Sequence, residues 1–229
     1  MNLFSAWLVH LYTALGALAA FFGVIAVFGE RYRDAFLWMA AATLVDATDG
    51  VLARRFRVKA RLPSVDGARL DDIVDYLTFV FLPMLLLYHA GEASVVACSA
   101  ALLSSLYGFS SADAKTDDHF FTGFPSYWNI VALYLHIGAF GSPANDVVLL
   151  ALSALVFWRI GYVYPTRTPE LRGLTLTLGA IWAAMVVAMI LLMPDVPRVL
   201  FAASLVFPLY YFALSIVLHA RRRPRTVRS

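Results

Sequence analysis

Residues 46–54, DATDGVLAR, and residues 67–75, GARLDDIVD, carry aspartates at regular spacing within strongly apolar surroundings. On a helix, residues three or four positions apart lie on the same face. Asp46, Asp49 and Ala53 have this spacing. The first stretch therefore places two carboxylates and one small residue on a single helical face, and this arrangement limits how the chain can fold.

The second stretch repeats the arrangement at four-residue intervals with Gly67, Asp71 and Asp75. If the two stretches belong to antiparallel helices that face each other, four carboxylates converge at one end of a helical bundle. Such charges repel strongly unless cations neutralise them, and hard oxygen ligands select Mg²⁺, Mn²⁺ or Ca²⁺. We therefore predict a site for two divalent ions with shared carboxylates. The alternative, simple ion pairs with Arg54, Arg55 or Arg69, requires neither this spacing nor the small residues.

The composition is that of a membrane protein. Of 229 residues, 61% are hydrophobic and only 14% are charged, and the mean hydropathy is +0.74. A soluble domain of this size could not bury so much apolar surface, whereas apolar blocks of about 20 residues match the thickness of a bilayer. We predict an all-α, polytopic helical bundle with about eight transmembrane helices in a single domain, residues 1–229. The predicted spans lie near residues 5–28, 34–54, 69–90, 93–112, 124–141, 146–164, 173–193 and 198–220.

The basic residues predict the orientation, because Lys and Arg concentrate in the cytoplasmic loops of membrane proteins. Most of the 18 Lys and Arg lie in the loop of residues 54–69, the loop of residues 165–172 and the tail from Arg221 onward. Both termini and the acidic cluster are therefore predicted to be cytoplasmic, and the tail can contact anionic headgroups of membrane lipids. The pI of about 9.1 then reflects topology, and no nucleic-acid binding is predicted.

The complete pattern resembles the signature of the CDP-alcohol phosphotransferases. The matching positions are Asp46, Asp49, Gly50, Ala53, Arg54, Gly67, Asp71 and Asp75. Arg54 and Gly67 enclose twelve residues, a longer gap than most of that family has. This gap is similar to that of the bacterial phosphatidylcholine synthases, as are the number of spans and the stretch FTGFPSYWN at residues 121–129.

This resemblance implies an enzyme of the bacterial inner membrane that transfers a phosphatidyl group from CDP-diacylglycerol to choline and releases CMP. It implies that four aspartates bind two Mn²⁺ or Mg²⁺ ions, and that Asp75 is also the general base for the acceptor hydroxyl. The implied metal ligands are Asp46, Asp49, Asp71 and Asp75. The implied nucleotide contacts are Asp46, Gly50, Ala53, Arg54 and Gly67. A homodimer is implied as well.

Two further groups of residues are candidate ligand contacts. Arg167 and Arg172 flank a loop and can hold a lipid phosphate, for which the guanidinium group is well suited; their positive charge is equally explained by topology. A quaternary ammonium group binds to aromatic faces, and the candidates for choline are Tyr127, Trp128, Tyr162 and Tyr164. An aromatic belt at the membrane interface explains the same residues without a ligand.

Other functions fit the sequence less well. An intramembrane prenyltransferase also uses aspartate-rich helices, but it requires a second aspartate-rich motif, and no later segment has that spacing. In a divalent-cation transporter, carboxylates would line a path through the bilayer, whereas these aspartates gather at one end of two spans. Within the resembling family, the alternatives are another acceptor (serine, inositol or glycerol phosphate) or a CDP-choline donor.

Overall fold

The structure of the chain is a computed structural model that describes residues 3–111, 120–158, 160–163 and 171–221. Its α-helices are α1 (Leu3–Phe28), α2 (Tyr32–Arg55), α3 (Val58–Arg61), α4 (Gly67–Asp75), α5 (Leu82–His89), α6 (Val95–Ser110), α7 (Trp128–Gly138), α8 (Ser142–Phe157), α9 (Arg172–Leu192), α10 (Arg198–Ser204) and α11 (Val206–Arg221). A π-helical segment, Tyr76–Phe81, joins α4 to α5, and two strands are β1 (Phe120–Thr122) and β2 (Gly161–Val163). Tyr164, Arg167 and the tail after Arg221 lie outside the described residues.

The helices confirm an integral membrane protein of the polytopic, all-α class. Four are long and apolar enough to cross a membrane: Leu3–Phe28, Tyr32–Arg55, Arg172–Leu192 and the continuous stretch Arg198–Arg221. The shorter apolar helices α6, α7 and α8 occupy the positions of three more predicted spans. The remaining span is the run of α4, the π-helical segment and α5. Each predicted span thus has a helical counterpart.

The boundaries of the fifth and sixth spans differ from the prediction. The fifth helix begins at Trp128 rather than near residue 124, and the sixth ends at Phe157 rather than near residue 164. Instead, β1 before the fifth helix and β2 after the sixth helix form an antiparallel ribbon, in which Phe121 pairs with Tyr162. Strands of three residues are too short to show the alternating pattern that separates a strand from a helix, so only the pairing reveals them.

Glycine is required where this ribbon meets α8. Gly123 directly follows β1 and has a φ of +80°, a backbone conformation that L-residues with side chains rarely adopt. A Cβ atom at this position would also overlap the backbone carbonyl of Val156. On the other side, the backbone N–H of Gly161 donates to His219 Nδ1 at 3.1 Å. These contacts attach the ribbon to α8 and α11.

Small residues allow α1 to lie close to the third span. A Cβ atom at Gly16 would overlap the side chain of Val74, and one at Gly23 would overlap that of Leu82. The order of these contacts shows that α1 runs parallel to the helical run from α4 to α5. Small residues in membrane helices permit such close backbone approach. The close contact fixes α1 against the helix that carries Asp71 and Asp75.

A group of polar contacts lies at the end of the bundle remote from these aspartates. Glu92 Oε1 lies 2.8 Å from His136 Nδ1, and the Asn145 side-chain amide donates to the Glu92 carbonyl at 2.9 Å. The hydroxyl of Tyr32 lies 3.2 Å from His89 Nδ1. These contacts connect the outer ends of α2, α5, α7 and α8, and they hold the bundle together opposite the acidic end.

We predict that replacing Gly16 with leucine destabilises the protein by about 2 kcal/mol or more, because a core without free volume strains when side chains are added. The matched control is Gly173→Leu, since among the described residues, apart from its own helix backbone, no atom lies within 4 Å of a Cβ atom placed there. The measurement is the thermal unfolding midpoint of the two purified variants in the same detergent. Equal midpoints for the two variants would contradict a tight α1–α4 contact.

Candidate metal centre

Three of the four predicted ligands come together in the structure. Asp46 and Asp49 on α2 and Asp71 on α4 each contribute one carboxylate oxygen, and these oxygens lie within 4.8 Å of one another. Both α2 and α4 pack against α1, and the short helix α3 lies in the loop between α2 and α4. Asp75, one turn further along α4, is not a member of this group. The convergence of aspartates from the second and third spans is therefore observed for three side chains.

The donor set fits a hard divalent cation. All three donors are carboxylate oxygens, the ligand type that Mg²⁺ and Mn²⁺ prefer. Two unit charges 4 Å apart near a protein surface interact with about 4 kcal/mol, so three carboxylates this close repel unless a cation or protons neutralise them. Asp49 is only 6% exposed, and a buried charge is costly without a partner. A cation held by Asp46, Asp49 and Asp71 satisfies both conditions.

The first helix contributes a residue that the sequence reasoning missed. The hydroxyl of Thr13 on α1 donates to Asp49 Oδ2 at 2.7 Å, and both residues are buried. A hydrogen bond from a neutral donor fixes the orientation of a ligating carboxylate, and such supporting contacts strongly affect metal affinity. The available signal was a pair of polar residues three apart, His10 and Thr13, in an otherwise apolar part of the first span.

The residues expected to contact a nucleotide lie beside this centre. Gly50 is covered by a side chain from its own helix, since a Cβ atom there would lie 3.3 Å from a guanidinium nitrogen of Arg54. Gly67 is covered by α1, because a Cβ atom there would lie 3.0 Å from His10 Cε1. Ala53 lies on α2 between the carboxylates and Arg54. The small residues therefore leave space that a guanidinium group and an imidazole ring occupy.

Local structure positions the aspartates of the third span. The side chain of Asp66 accepts hydrogen bonds from the backbone N–H groups of Ala68 and Arg69, so it caps α4 at its N-terminus. This cap fixes where the helix begins and therefore which face Asp71 occupies. Asp75 is the last residue of α4, directly before the π-helical segment. Short π-helical segments within helices are frequent at functional sites.

The aromatic residues expected to bind choline differ in how exposed they are. The side chain of Trp128 is fully buried and its indole N–H donates to Ser105 Oγ at 2.6 Å. Tyr162 is 2% exposed, and its ring stacks on Tyr211 with 6.4 Å between centroids. Tyr127 is 38% exposed and shares a hydrogen bond with Tyr211. Tyr127 and Tyr162 are thus linked through Tyr211, whereas Trp128 belongs to the packed core.

Of the two arginines expected at a lipid phosphate, the structure describes Arg172. Arg172 is the first residue of α9 and is exposed. Arg167 lies outside the described residues, as does Tyr164 from the aromatic set. The structure therefore describes Arg172 as an exposed cation at the start of a membrane-spanning helix.

Comparisons with known proteins give consistent relatives. No protein-family model matches the sequence. The chain is 37% identical to the phosphatidylcholine synthase of Rhizobium johnstonii over 218 residues, which cover 93% of this chain and 90% of the relative. It is 34% identical to that of Rhizobium meliloti over 217 residues, with the same coverage. It is also 34% identical to that of Pseudomonas aeruginosa over 215 residues, 90% of each chain.

We predict that Thr13→Val weakens Mn²⁺ binding by about 10- to 100-fold, the usual effect of removing a residue that supports a metal ligand. Valine keeps the shape of threonine and removes only the hydroxyl that bonds Asp49. The control is Thr177→Val, because within the part of the chain that the structure describes the Thr177 hydroxyl bonds to its own helix, to the Gly173 carbonyl at 3.0 Å. Calorimetric titration with Mn²⁺ measures both. Unchanged affinity in Thr13→Val would show that Asp49 does not depend on this hydrogen bond.

Proposed function

Because the chain belongs to the phosphatidylcholine synthase family, we propose that it transfers the phosphatidyl group of CDP-diacylglycerol to choline. The products are phosphatidylcholine and CMP. The observation that supports this proposal most directly is the group of carboxylate oxygens from Asp46, Asp49 and Asp71, which lie within 4.8 Å of one another. Phosphoryl transfer depends mainly on positioning and on neutralising negative charge, and this group provides a place for the cations that do so.

Charge explains why a metal is needed. The diphosphate of the donor is anionic, and the aspartates of the site would repel it. Asp46, Asp49 and Asp71 would hold the cation, and in our proposal Asp75 is a ligand of a second one. Bound Mn²⁺ or Mg²⁺ supplies neutralisation of the diphosphate and of the charge that develops on the departing CMP. The role of Thr13 is to hold the Asp49 carboxylate in one orientation through its 2.7 Å hydrogen bond.

Asp75 is our candidate general base. It follows Asp71 by four residues on α4, which corresponds to about 6 Å along the helix. In the proposed step the choline hydroxyl gives its proton to the Asp75 carboxylate, the oxygen forms a bond to the lipid-attached phosphorus, and the bond from that phosphorus to the CMP oxygen breaks. A carboxylate is a weak base, so its contribution depends on being placed within hydrogen-bond reach of the hydroxyl.

The nucleotide half of the donor would lie along the small residues. Gly50 and Gly67 let the Arg54 guanidinium and the His10 imidazole lie close to the helix backbone, with Ala53 next to Arg54 on α2, and the guanidinium group suits phosphate. Arg172 remains a candidate for the phosphate of a lipid. For choline, the exposed ring of Tyr127 is the more accessible aromatic face, and Tyr162 lies near it through Tyr211.

We further propose that the enzyme lies in the bacterial inner membrane with the metal centre and both termini on the cytoplasmic side. The support is the basic segment that runs from the last turn of α2 to the first turn of α4, since Lys and Arg concentrate on that side of membranes. Its cations are Arg54, Arg55, Arg57, Lys59, Arg61 and Arg69. CDP-diacylglycerol and other membrane lipids would enter from the bilayer. A homodimer is proposed from the family resemblance alone.

We predict that the purified protein releases CMP from CDP-diacylglycerol only when a divalent cation and choline are both present. The measurement uses Mn²⁺ and separate reactions with choline, serine, inositol and glycerol phosphate, and it identifies the lipid product by mass spectrometry. Removal of the cation with a chelator should stop the reaction, and Mn²⁺ should restore it. CMP release with serine or inositol but not with choline would contradict the proposed acceptor.

We predict that Asp75→Asn lowers kcat by at least about 100-fold, because general base catalysis typically contributes that much or more. The amide keeps the size of the side chain and removes its capacity to accept the proton. Asp34→Asn is the control, since Asp34 is exposed and pairs with Arg31 at 3.3 Å, far along α2 from the site. Near-normal turnover of Asp75→Asn, with both variants folded, would exclude Asp75 as the base.

A further inference from the structure

His10 on α1 has a buried nitrogen without a hydrogen-bond partner. The residue is 7% exposed, and its Nε2 atom is buried and unpaired within the described part of the chain. Buried polar groups are nearly always hydrogen-bonded, and leaving one unsatisfied costs about 1–3 kcal/mol. The other atoms of this kind that the structure describes, on Glu92 and Asn145, lie at the opposite end of the bundle. The Nε2 atom of His10 is therefore available for a hydrogen bond with a ligand.

The imidazole ring lies beside the metal centre. Its Cε1 and Nδ1 atoms would be 3.0 and 3.6 Å from a Cβ atom at Gly67. His10 precedes Thr13, the donor to Asp49, by three residues, and Gly67 precedes Asp71 by four. On helices these separations correspond to about 4.5 and 6 Å. Because α1 and α4 run parallel, the ring lies one helical turn from the carboxylates, towards the N-terminal ends of both helices.

The nucleoside of the donor must extend in the same direction, towards the N-terminal ends of α1 and α4. If the carboxylates and their cation hold the diphosphate, the acyl chains must leave towards the apolar bilayer. The polar cytidine must then leave towards the aqueous end, which is the end where α1 and α4 begin. In CMP, one oxygen and one carbon separate the phosphorus from the ribose ring, so the ribose hydroxyls lie about one helical turn from the phosphate. The unpaired nitrogen occupies this level.

We propose that His10 Nε2 forms a hydrogen bond with a ribose hydroxyl in the nucleotide half of CDP-diacylglycerol. The inference rests on the proposed function and names a further substrate contact for it. A hydroxyl both donates and accepts, so it pairs with the imidazole nitrogen in either tautomer. Gly67 serves this contact, because a side chain there would displace the ring from its position.

The test compares the binding of CMP, 2′-deoxy-CMP and 3′-deoxy-CMP to the full-length protein with Mn²⁺ in detergent, by calorimetry. The variants are His10→Ala, His10→Gln and, as a control at the opposite end, His89→Ala. We expect His10→Ala to weaken CMP binding by about 10-fold, the loss of one hydrogen bond with a buried partner. The deoxy nucleotide that lacks the hydroxyl bonded by His10 should bind the wild type and His10→Ala with equal affinity. His10→Gln should recover part of the CMP affinity.

Kinetics provide a second readout. His10→Ala should raise the KM for CDP-diacylglycerol and leave the KM for choline unchanged, whereas a general loss of structure would alter both. If His10→Ala does not fold, His10→Leu, which keeps the volume, takes its place in the same comparison. An equal loss for all three nucleotides, or no loss for any, overturns the inference. If the inference about His10 fails but the wild-type protein binds CMP and makes phosphatidylcholine, the proposed function stands. If the wild type does not bind CMP, the inference and the proposed function are both overturned.

Discussion

Three carboxylates held within 4.8 Å of one another are an unfavourable arrangement in the absence of a cation, and the protein maintains it through packing. Asp46 and Asp49 come from one helix and Asp71 from another, so only the contact between helices keeps the charges together. Interiors are packed too densely to relax by small continuous shifts. The free energy of the bundle thus opposes the repulsion at one end, and a divalent ion held by these carboxylates would reduce it.

The first helix holds this arrangement in place. Gly16 and Gly23 let it lie directly against the third span, where side chains would overlap Val74 and Leu82. The same helix gives the hydroxyl of Thr13 to Asp49 and places His10 over Gly67. A helix that looks like a plain membrane anchor in the sequence is therefore one wall of the site. Thr13 lies level with the aspartates, and His10 lies about one helical turn towards the N-terminal ends of α1 and α4.

The site also depends on a clear separation between the two ends of the bundle. At the remote end, Glu92 Oε1 pairs with His136 and the Glu92 carbonyl accepts from the Asn145 amide, so these contacts join the helices there. Between the ends, the core consists of large apolar side chains such as Phe36, Leu86 and Trp128. Charged substrates have no favourable path through such a core. The chemistry that we propose is therefore placed at the acidic end.

Sequence alone determined the helical class, the approximate positions of the spans and the candidate residues of the acidic cluster. Apolar blocks of bilayer length and aspartates at intervals of three and four residues are local patterns, and local patterns follow from helical geometry. Only the tertiary structure decided that Asp46, Asp49 and Asp71 form the close group while Asp75 stands one turn away. It alone revealed the hydrogen bond from Thr13, the ring of His10 over Gly67 and the pairing of Phe121 with Tyr162. These contacts join residues far apart in the chain, and their geometry depends on how whole helices pack.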